Sequence, residues 1–334
     1  MYVVTGAAGF IGSALIWELN RRGFNQILAV DHFEEGEKWQ NLRNLEIFDY
    51  LDKQTFIDKI TAREHPGKIE AIFHLGACSA TTETDMGYLM ANNYDYTRKI
   101  ARYSLENNIR FIYASSAATY GDGSHGYEDN RQSLGQLQPL NKYAYSKYLF
   151  DLHAHKQGWL DELVGLKYFN VYGPNEYHKG NMRSVVHKSF QQALEDGEIR
   201  LFKSHRADYE HGQQKRDFLY VKDAVKMTLF FLDNPQQAGI FNIGRGKARP
   251  FADLGAAVLD TVKNSEVAET TGKEEINYID MPAELRDRYQ YYTEADISKL
   301  REAGYRDELY HLEEGIQDYL ENYLLTEDPY LNPH

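Results

Sequence analysis

The opening stretch "YVVTGAAGFIGSALIWEL" restricts this chain more than any other. Gly6, Gly9 and Gly12 fall between an apolar run suited to a strand and an amphipathic run suited to a helix near Phe10 to Arg22. Glycines so placed permit a tight turn, let backbone amides approach a pyrophosphate, and allow the helix to pack closely on the strand. The helix N-terminus adds partial positive charge. An ordinary tight turn also uses glycines. Here, however, they occupy the first strand–helix junction, and Asp31, closing "QILAVD", follows Gly12 at the spacing of about 20 residues expected of a ribose-binding acid.

The rest of the chain continues the pattern. Strands are expected near "LEIFDY", "IEAIFHLGA", "IRFIYASS" and "ELVGLKYFNV", with helices at about 56–63, 85–107 and 141–157 between them. Strands that are apolar throughout and alternate with helices predict a parallel sheet covered on both faces. The fold class is therefore α/β, a doubly wound (Rossmann) sheet with a smaller interleaved α/β substrate domain. Residues 1–170 form the dinucleotide-binding part, and 171–334 the substrate part, with 217–247 returning to the first. Further helices are expected at 251–263 and from Thr293 to the end. No Pro/Gly-rich linker separates the parts.

Bulk properties remove several function classes. A formal net charge of -13 argues against nucleic-acid binding, which needs a basic face. The single cysteine, Cys78, excludes an intrachain disulfide and a thiolate metal site; it reads as a small buried side chain, and no metal is expected. With a strand starting at residue 2 and no apolar run near 18 residues, the expectation is a cytoplasmic protein without a leader or membrane span.

Chemistry concentrates in two stretches. "KYAYSK" holds Tyr143 and Lys147, whose spacing puts both on one helix face. An ammonium beside a phenol lowers the phenol pKa and makes it a usable base, and the lysine can also hold a nicotinamide ribose. Ser116, ending "YASS", is placed to hydrogen-bond the reacting hydroxyl. With 26 tyrosines in the chain, a bare Tyr-x-x-x-Lys match carries little weight. The order of glycine loop, serine and helix gives it weight. Tyr145 faces elsewhere on that helix. The second stretch is "YGPNEYHKG", where Lys179 is either a solvated loop cation or a site group. At the other end, Asp31 favours NAD, whereas Lys38 and Lys53 would neutralise a 2′-phosphate, so the residues leave the cofactor choice open.

Together "TGAAGFIG", "YASSAATYG", "YAYSK" and "YFNVYGP" resemble the extended short-chain dehydrogenase/reductases that act on nucleotide sugars, over essentially the whole chain. More narrowly, "HLGACSATTETD", "MANNYDYT" and "YGPNEYHKGNM" are similar to the branch that inverts carbon 6 of an ADP-heptose, a lipopolysaccharide core precursor. That carbon has no neighbouring carbonyl, so its hydrogen is not acidic and inversion requires transient oxidation by a bound cofactor. The resemblance implies Tyr143 and Lys179 as two acid/base groups, with Ser116 and Lys147 completing the catalytic set. A lowered Lys179 pKa is expected from burial or a neighbouring cation, with His178 and the cofactor as contributors.

The resemblance also implies NADP in preference to NAD. Cofactor contacts, besides Gly6, Gly9 and Gly12, are Phe10, Ile11, Asp31, His32, Lys38 and Lys53. Further along they are Leu75, Gly76, Ala77, Cys78, Ser79, Asn92, Lys147, Val171 and Lys179. Substrate contacts are Ser79, Ser116, Asn170, Asn181, Lys188, Phe202, Lys203, Ser204, His205, Arg216 and Tyr289, with Arg288 joining Arg216 as a guanidinium fork for a diphosphate. His32, Asn181 and Lys188 depart from the commonest family residues. A ring-like homo-oligomer, a pentamer, is implied, with no membrane or nucleic-acid partner. Two other readings remain: an NAD-using UDP-hexose 4-epimerase, which lacks the Lys179 equivalent, and a non-catalytic NADP-sensing scaffold. A 4,6-dehydratase needs an Asp-Glu pair where this chain has Ala117 and Ala118.

Overall fold

The computed structural model describes residues 1–33, 35–64, 67–265, 275–286 and 289–334. Seven strands form one parallel sheet: β1 (Tyr2–Thr5), β2 (Ile27–Asp31), β3 (Asp49–Asp52), β4 (Ala71–His74), β5 (Arg110–Ser116), β6 (Val164–Tyr168) and, after a long excursion, β10 (Gly239–Ile243). Their order is β10-β6-β5-β4-β1-β2-β3. β2, β4, β6 and β10 are buried at every position, because helices cover both faces. The order reverses between β1 and β4, which opens a crevice beyond their carboxyl ends.

The flanking helices are α1 (Phe10–Arg21), α2 (Lys53–Thr61), α3 (Met86–Leu89), α4 (Tyr96–Glu106), α5 (Lys142–Lys156) and, from the later chain, α7 (Val221–Asp233). The Asp52 side chain caps α2 by accepting Gln54 N–H at 2.8 Å, so this helix starts three residues earlier than the apolar pattern suggested. α3 and α4 join through a π turn at Met90–Asp95, in place of one uninterrupted helix.

"ELVGLKYFNV" differs from the expected single strand. β6 ends at Tyr168, and Asn170–Tyr172 form β7, which pairs with β9 (Lys215–Tyr220) in a separate three-stranded sheet completed by β11 (Ala248–Pro250). Lys179 therefore follows the small sheet. α6 (Val185–Asp196), β8 (Glu198–Phe202), α8 (Phe251–Asn264) and β12 (Glu275–Ile279), which pairs with β8, build the rest of this region.

The tail also departs from expectation. Thr293–Ile297 is irregular rather than helical: Thr293 N–H donates to Lys215 O at 3.3 Å and Ala295 N–H to Asp217 Oδ2 at 3.0 Å along β9. α9 (Ala283–Arg286) precedes this stretch, and after it come α10 (Ser298–Glu302) and α11 (Leu312–Tyr319), the latter continued by a π turn at Leu320–Leu324. Among the described residues, no helix is long and apolar enough to cross a membrane.

Candidate active site

The glycine turn fits a dinucleotide. Gly6 has φ +67°, and a Cβ there would lie 2.6 Å from Gly76 N, where β1 and β4 exit side by side. A Cβ on Gly12 would lie 2.0 Å from Gly6 O. Only glycines let strand, turn and helix approach this closely. Gly9 precedes α1 without a side-chain cap, so the first-turn N–H groups are left for an anion.

Beyond the turn, a cavity of about 170 Å³ is lined by Asp31, His32, Lys38, Lys53, Gly76, Ala77, Cys78 and Asn92, among others. The Asp31 carboxylate is already engaged: Oδ2 accepts Ala8 N–H at 2.7 Å, and Oδ1 accepts His32 N–H and Lys38 Nζ, each at 2.7 Å. Lys53 Nζ donates to Asn92 Oδ1 at 2.9 Å. The His32 ring turns to Asp52, with Nδ1 2.9 Å from Oδ2. Cys78 is half-buried rather than fully buried; its backbone N–H and C=O are held by Asn93 at 2.9 and 3.0 Å.

The larger cavity, about 390 Å³, lies where the two parts of the chain meet. β5 delivers Ser116 to its floor. α5, capped by Asn141 accepting Ala144 N–H at 2.8 Å, delivers Tyr143 and Lys147, while Tyr145 faces outward. Lys179 lines the same cavity, as do Phe10, Ile11, Leu75, Ala77, Ser79, Asn170 and Val171. Four residues spread over 64 positions of sequence thus converge on one volume.

Burial sets the electrostatics. It raises the Tyr143 phenol above its usual value, and a hydrogen bond with Ser116 offsets part of that rise. This is opposite to the lowering expected from Lys147, because desolvation dominates. Lys147 itself is pushed down to about 8 by burial, with Asp151 pulling it back up.

Lys179 rides on the loop 173–184. Gly173, at φ +140°, leaves no room for a side chain: a Cβ would meet Val221 at 2.7 Å. Asn175, buried at φ +75°, donates from Nδ2 to Ser13 Oγ at 2.9 Å and accepts Leu331 N–H at 3.0 Å. The fully buried Glu176 carboxylate closes the loop, accepting Gly173 N–H at 3.3 Å, Ser184 Oγ at 2.7 Å and Ser184 N–H at 2.5 Å. Tyr177 OH donates to Pro329 O at 2.6 Å. So held, Lys179 Nζ stands 5.2 Å from the Phe10 ring centroid, which places it over α1's first residue.

Burial lowers the Lys179 pKa; Glu176 opposes this and Lys188 reinforces it. His178 does not act as the expected cation. Burial, with Lys38 and Lys179, pushes its imidazole down to about 4, so it is neutral, and its Nδ1 lies 3.1 Å from Asn41 Nδ2. Lys188 is the neighbouring cation instead.

The remaining predicted contacts lie outside this cavity. Arg216 is buried, packs over Phe251 and Tyr289 at 5.5 and 5.0 Å, donates to Lys215 O at 2.9 Å, and among the described residues forms no ion pair. Phe251 lines the cavity, so Arg216 adjoins its wall. Phe202 ends β8, and Lys203, Ser204 and His205 follow it; Lys203 pairs with Asp280 at 3.2 Å and His205 N–H donates to Tyr291 OH at 2.8 Å. Asn181 and Lys188 are exposed, joined by Lys188 Nζ to Asn181 O at 2.6 Å. Arg288 lies outside the described residues. Thr81, Met182, Arg183, Phe218 and Leu254 also wall the cavity and were not anticipated. Met182 and Arg183 adjoin the "HKG" motif, whereas Phe218 on β9 and Leu254 on α8 reach the site through tertiary packing that no local pattern announces.

Residues 2–244 match the NAD dependent epimerase/dehydratase family. A protein of Nitratidesulfovibrio vulgaris named ADP-L-glycero-D-manno-heptose-6-epimerase is 49% identical over 331 residues, covering 99% of this chain and 100% of its own. One of the same name from Fusobacterium nucleatum is 48% identical over 334 residues, with 99% and 100% covered. The crystal structure of the Helicobacter pylori ADP-L-glycero-D-manno-heptose-6-epimerase is similar at TM-score 0.77 and 25% identity, covering 96% of this chain and 95% of that one.

Proposed function

The chain belongs to the NAD dependent epimerase/dehydratase family, and on that premise we propose that it interconverts ADP-D-glycero-D-manno-heptose and ADP-L-glycero-D-manno-heptose. The observation that carries this reading is the meeting of Tyr143 and Lys179, on unrelated elements, in one cavity with Ser116. The relatives' shared name supports the substrate.

When bound, the nicotinamide dinucleotide supplies reversible hydride removal, which makes carbon 6 planar. Ser116 Oγ holds the substrate oxygen beside Tyr143. Carbon 6 is exocyclic, so rotation about one bond presents its other face and moves that oxygen to a second position. Tyr143 serves one position and Lys179 the other. Their shifts suit a pair: the raised phenol keeps its proton, while the lowered amine more readily gives its proton up. Arg216, a buried guanidinium without a carboxylate partner among the described residues, suits the diphosphate.

We assign NADP as the cofactor. Asp31, tied to Ala8, His32 and Lys38, is poorly available to ribose hydroxyls, whereas Lys38 and Lys53 line the same cavity and favour a 2′-phosphate. A cytoplasmic homo-oligomer is consistent with the family. The test is incubation of the purified protein with the ADP-heptose pair beside UDP-glucose, following product stereochemistry, with the released dinucleotide weighed by mass spectrometry. Heptose inversion and NADP are expected. Turnover of UDP-glucose alone overturns the assignment, and turnover of neither points to a scaffold.

A further inference from the structure

Beneath Tyr143 and Lys147 lies a polar cluster that the mechanism does not use. Asp151, one turn beyond Lys147 on α5, is fully buried. Its Oδ1 accepts Tyr113 OH at 3.0 Å, and its Oδ2 accepts Ser115 Oγ at 2.6 Å and Lys167 Nζ at 3.1 Å. Lys167, on β6, is also fully buried, contacts Thr119 Oγ1 at 2.5 Å and stands 4.8 Å from the Tyr120 ring centroid. Ser115 is next to Ser116, so one carboxylate joins α5, β5 and β6 where all three carry or adjoin site residues.

The cluster has one carboxylate for two buried ammoniums. Two such cations in a low-dielectric interior repel strongly unless an anion stands between them. The groups around Lys147 are few: Tyr143 and Asp151 on its own helix, Lys167 on β6 behind Asp151, Lys179 across the cavity, and His74 on β4. His74 is neutral, its pKa pushed down to about 3 chiefly by burial. Asp151 is the carboxylate of that set.

We propose that Asp151 is a positioning residue for Lys147: it keeps that lysine protonated toward the cofactor, and Lys167 shares and thereby limits its charge. Such a division needs no contact between Asp151 and substrate. It also explains a costly buried ion pair directly under a working site, where apolar packing would be at least as stable. The tug of Asp151 against burial at Lys147, which leaves the ammonium near 8, agrees with this role. The proposal rests on Lys147 as the cofactor-holding lysine, but not on the heptose assignment.

The two partners should act in opposite directions, which a merely structural role does not predict. NADPH binding is titrated by fluorescence from pH 6 to 10, with NADH in a parallel arm, on wild type, Asp151→Asn and Lys167→Met. Lys147→Met serves as control for the lysine transition. Asparagine keeps an oxygen for Ser115 and Lys167, and Tyr113 OH can accept where it formerly donated. In wild type, affinity should fall as pH rises through about 8. The midpoint should drop by about one pH unit in Asp151→Asn and rise in Lys167→Met, with no such transition in Lys147→Met. Coincident midpoints, or midpoints moving the same way in both variants, overturn the proposal. If Asp151→Asn fails to fold, an unmoved midpoint in Lys167→Met overturns it equally. Loss of heptose turnover with these shifts intact would count against the substrate reading alone.

Discussion

Two lysines face the same cavity, and they are held in different ways. Lys147 sits on the second turn of a regular helix, so its place follows from an N-cap, a helical pitch and a sheet strand beneath. Lys179 sits in a short 3₁₀ stretch, Tyr177–Met182, that is kinked at Gly180 and lies within a longer loop. Its place depends on Gly173 and Asn175 at positive φ, on the buried Glu176, and on contacts to α1 and the C-terminal segment. A helix fixes a side chain with its own backbone, whereas a loop must borrow side chains from elsewhere. The helix site should therefore tolerate remote substitutions better than the loop site.

Replacing the reactive groups themselves gives the largest effect and removes the contrast. Lys179→Met and Tyr143→Phe should each slow epimerisation by about 10²–10⁴-fold, the usual range for a lost acid/base group. The dinucleotide should stay bound in both. A Lys179→Met enzyme within tenfold of wild type would return that lysine to the surface and leave the helix as the sole catalytic element.

The same contrast governs what the sequence disclosed. The glycine turn, Asp31 and the Tyr143–Lys147 pair are local patterns, and the positions of the elements that carry them follow closely from the pattern. Lys179 was visible as a motif, but its support was not. The sequence does not say that Glu176, three residues away, is buried, or that "ELVGLKYFNV" splits at Phe169 to enter a second sheet. Nor does the burial that raises Tyr143 against the pull expected from Lys147 show in spacing alone. His178 beside Lys179 suggested a cation, yet in the fold it is neutral and Lys188, nine residues along, takes that part. Energies set by tertiary burial are the ones that local reading missed.

Removing one support from each region measures the contrast directly. Glu176→Ala leaves the Ser184 and Gly173 N–H groups without their acceptor, and an orphaned buried donor costs about 1–3 kcal/mol. The loss should be about 2–6 kcal/mol by urea unfolding, with activity falling further because the loop is freed. Asn141→Ala removes the α5 cap and should cost only about 1 kcal/mol, with catalysis nearly intact. Equal losses would mean that loop and helix are held equally well by their surroundings.

The smallest effect concerns the charge on Lys179. Lys188 adds positive potential that disfavours the ammonium form, so Lys188→Met should raise the Lys179 pKa. A neutral amine, the proton acceptor, then appears only at higher pH. The acidic limb of the epimerisation profile should move upward by about half a unit, with the plateau rate little changed. The sign is what matters. Burial, which lowers the pKa, remains in the variant, while the repulsion that aided it is gone. An acidic limb that stays in place would mean that the exposed Lys188 is screened by solvent, and that burial, opposed by Glu176, sets the Lys179 pKa.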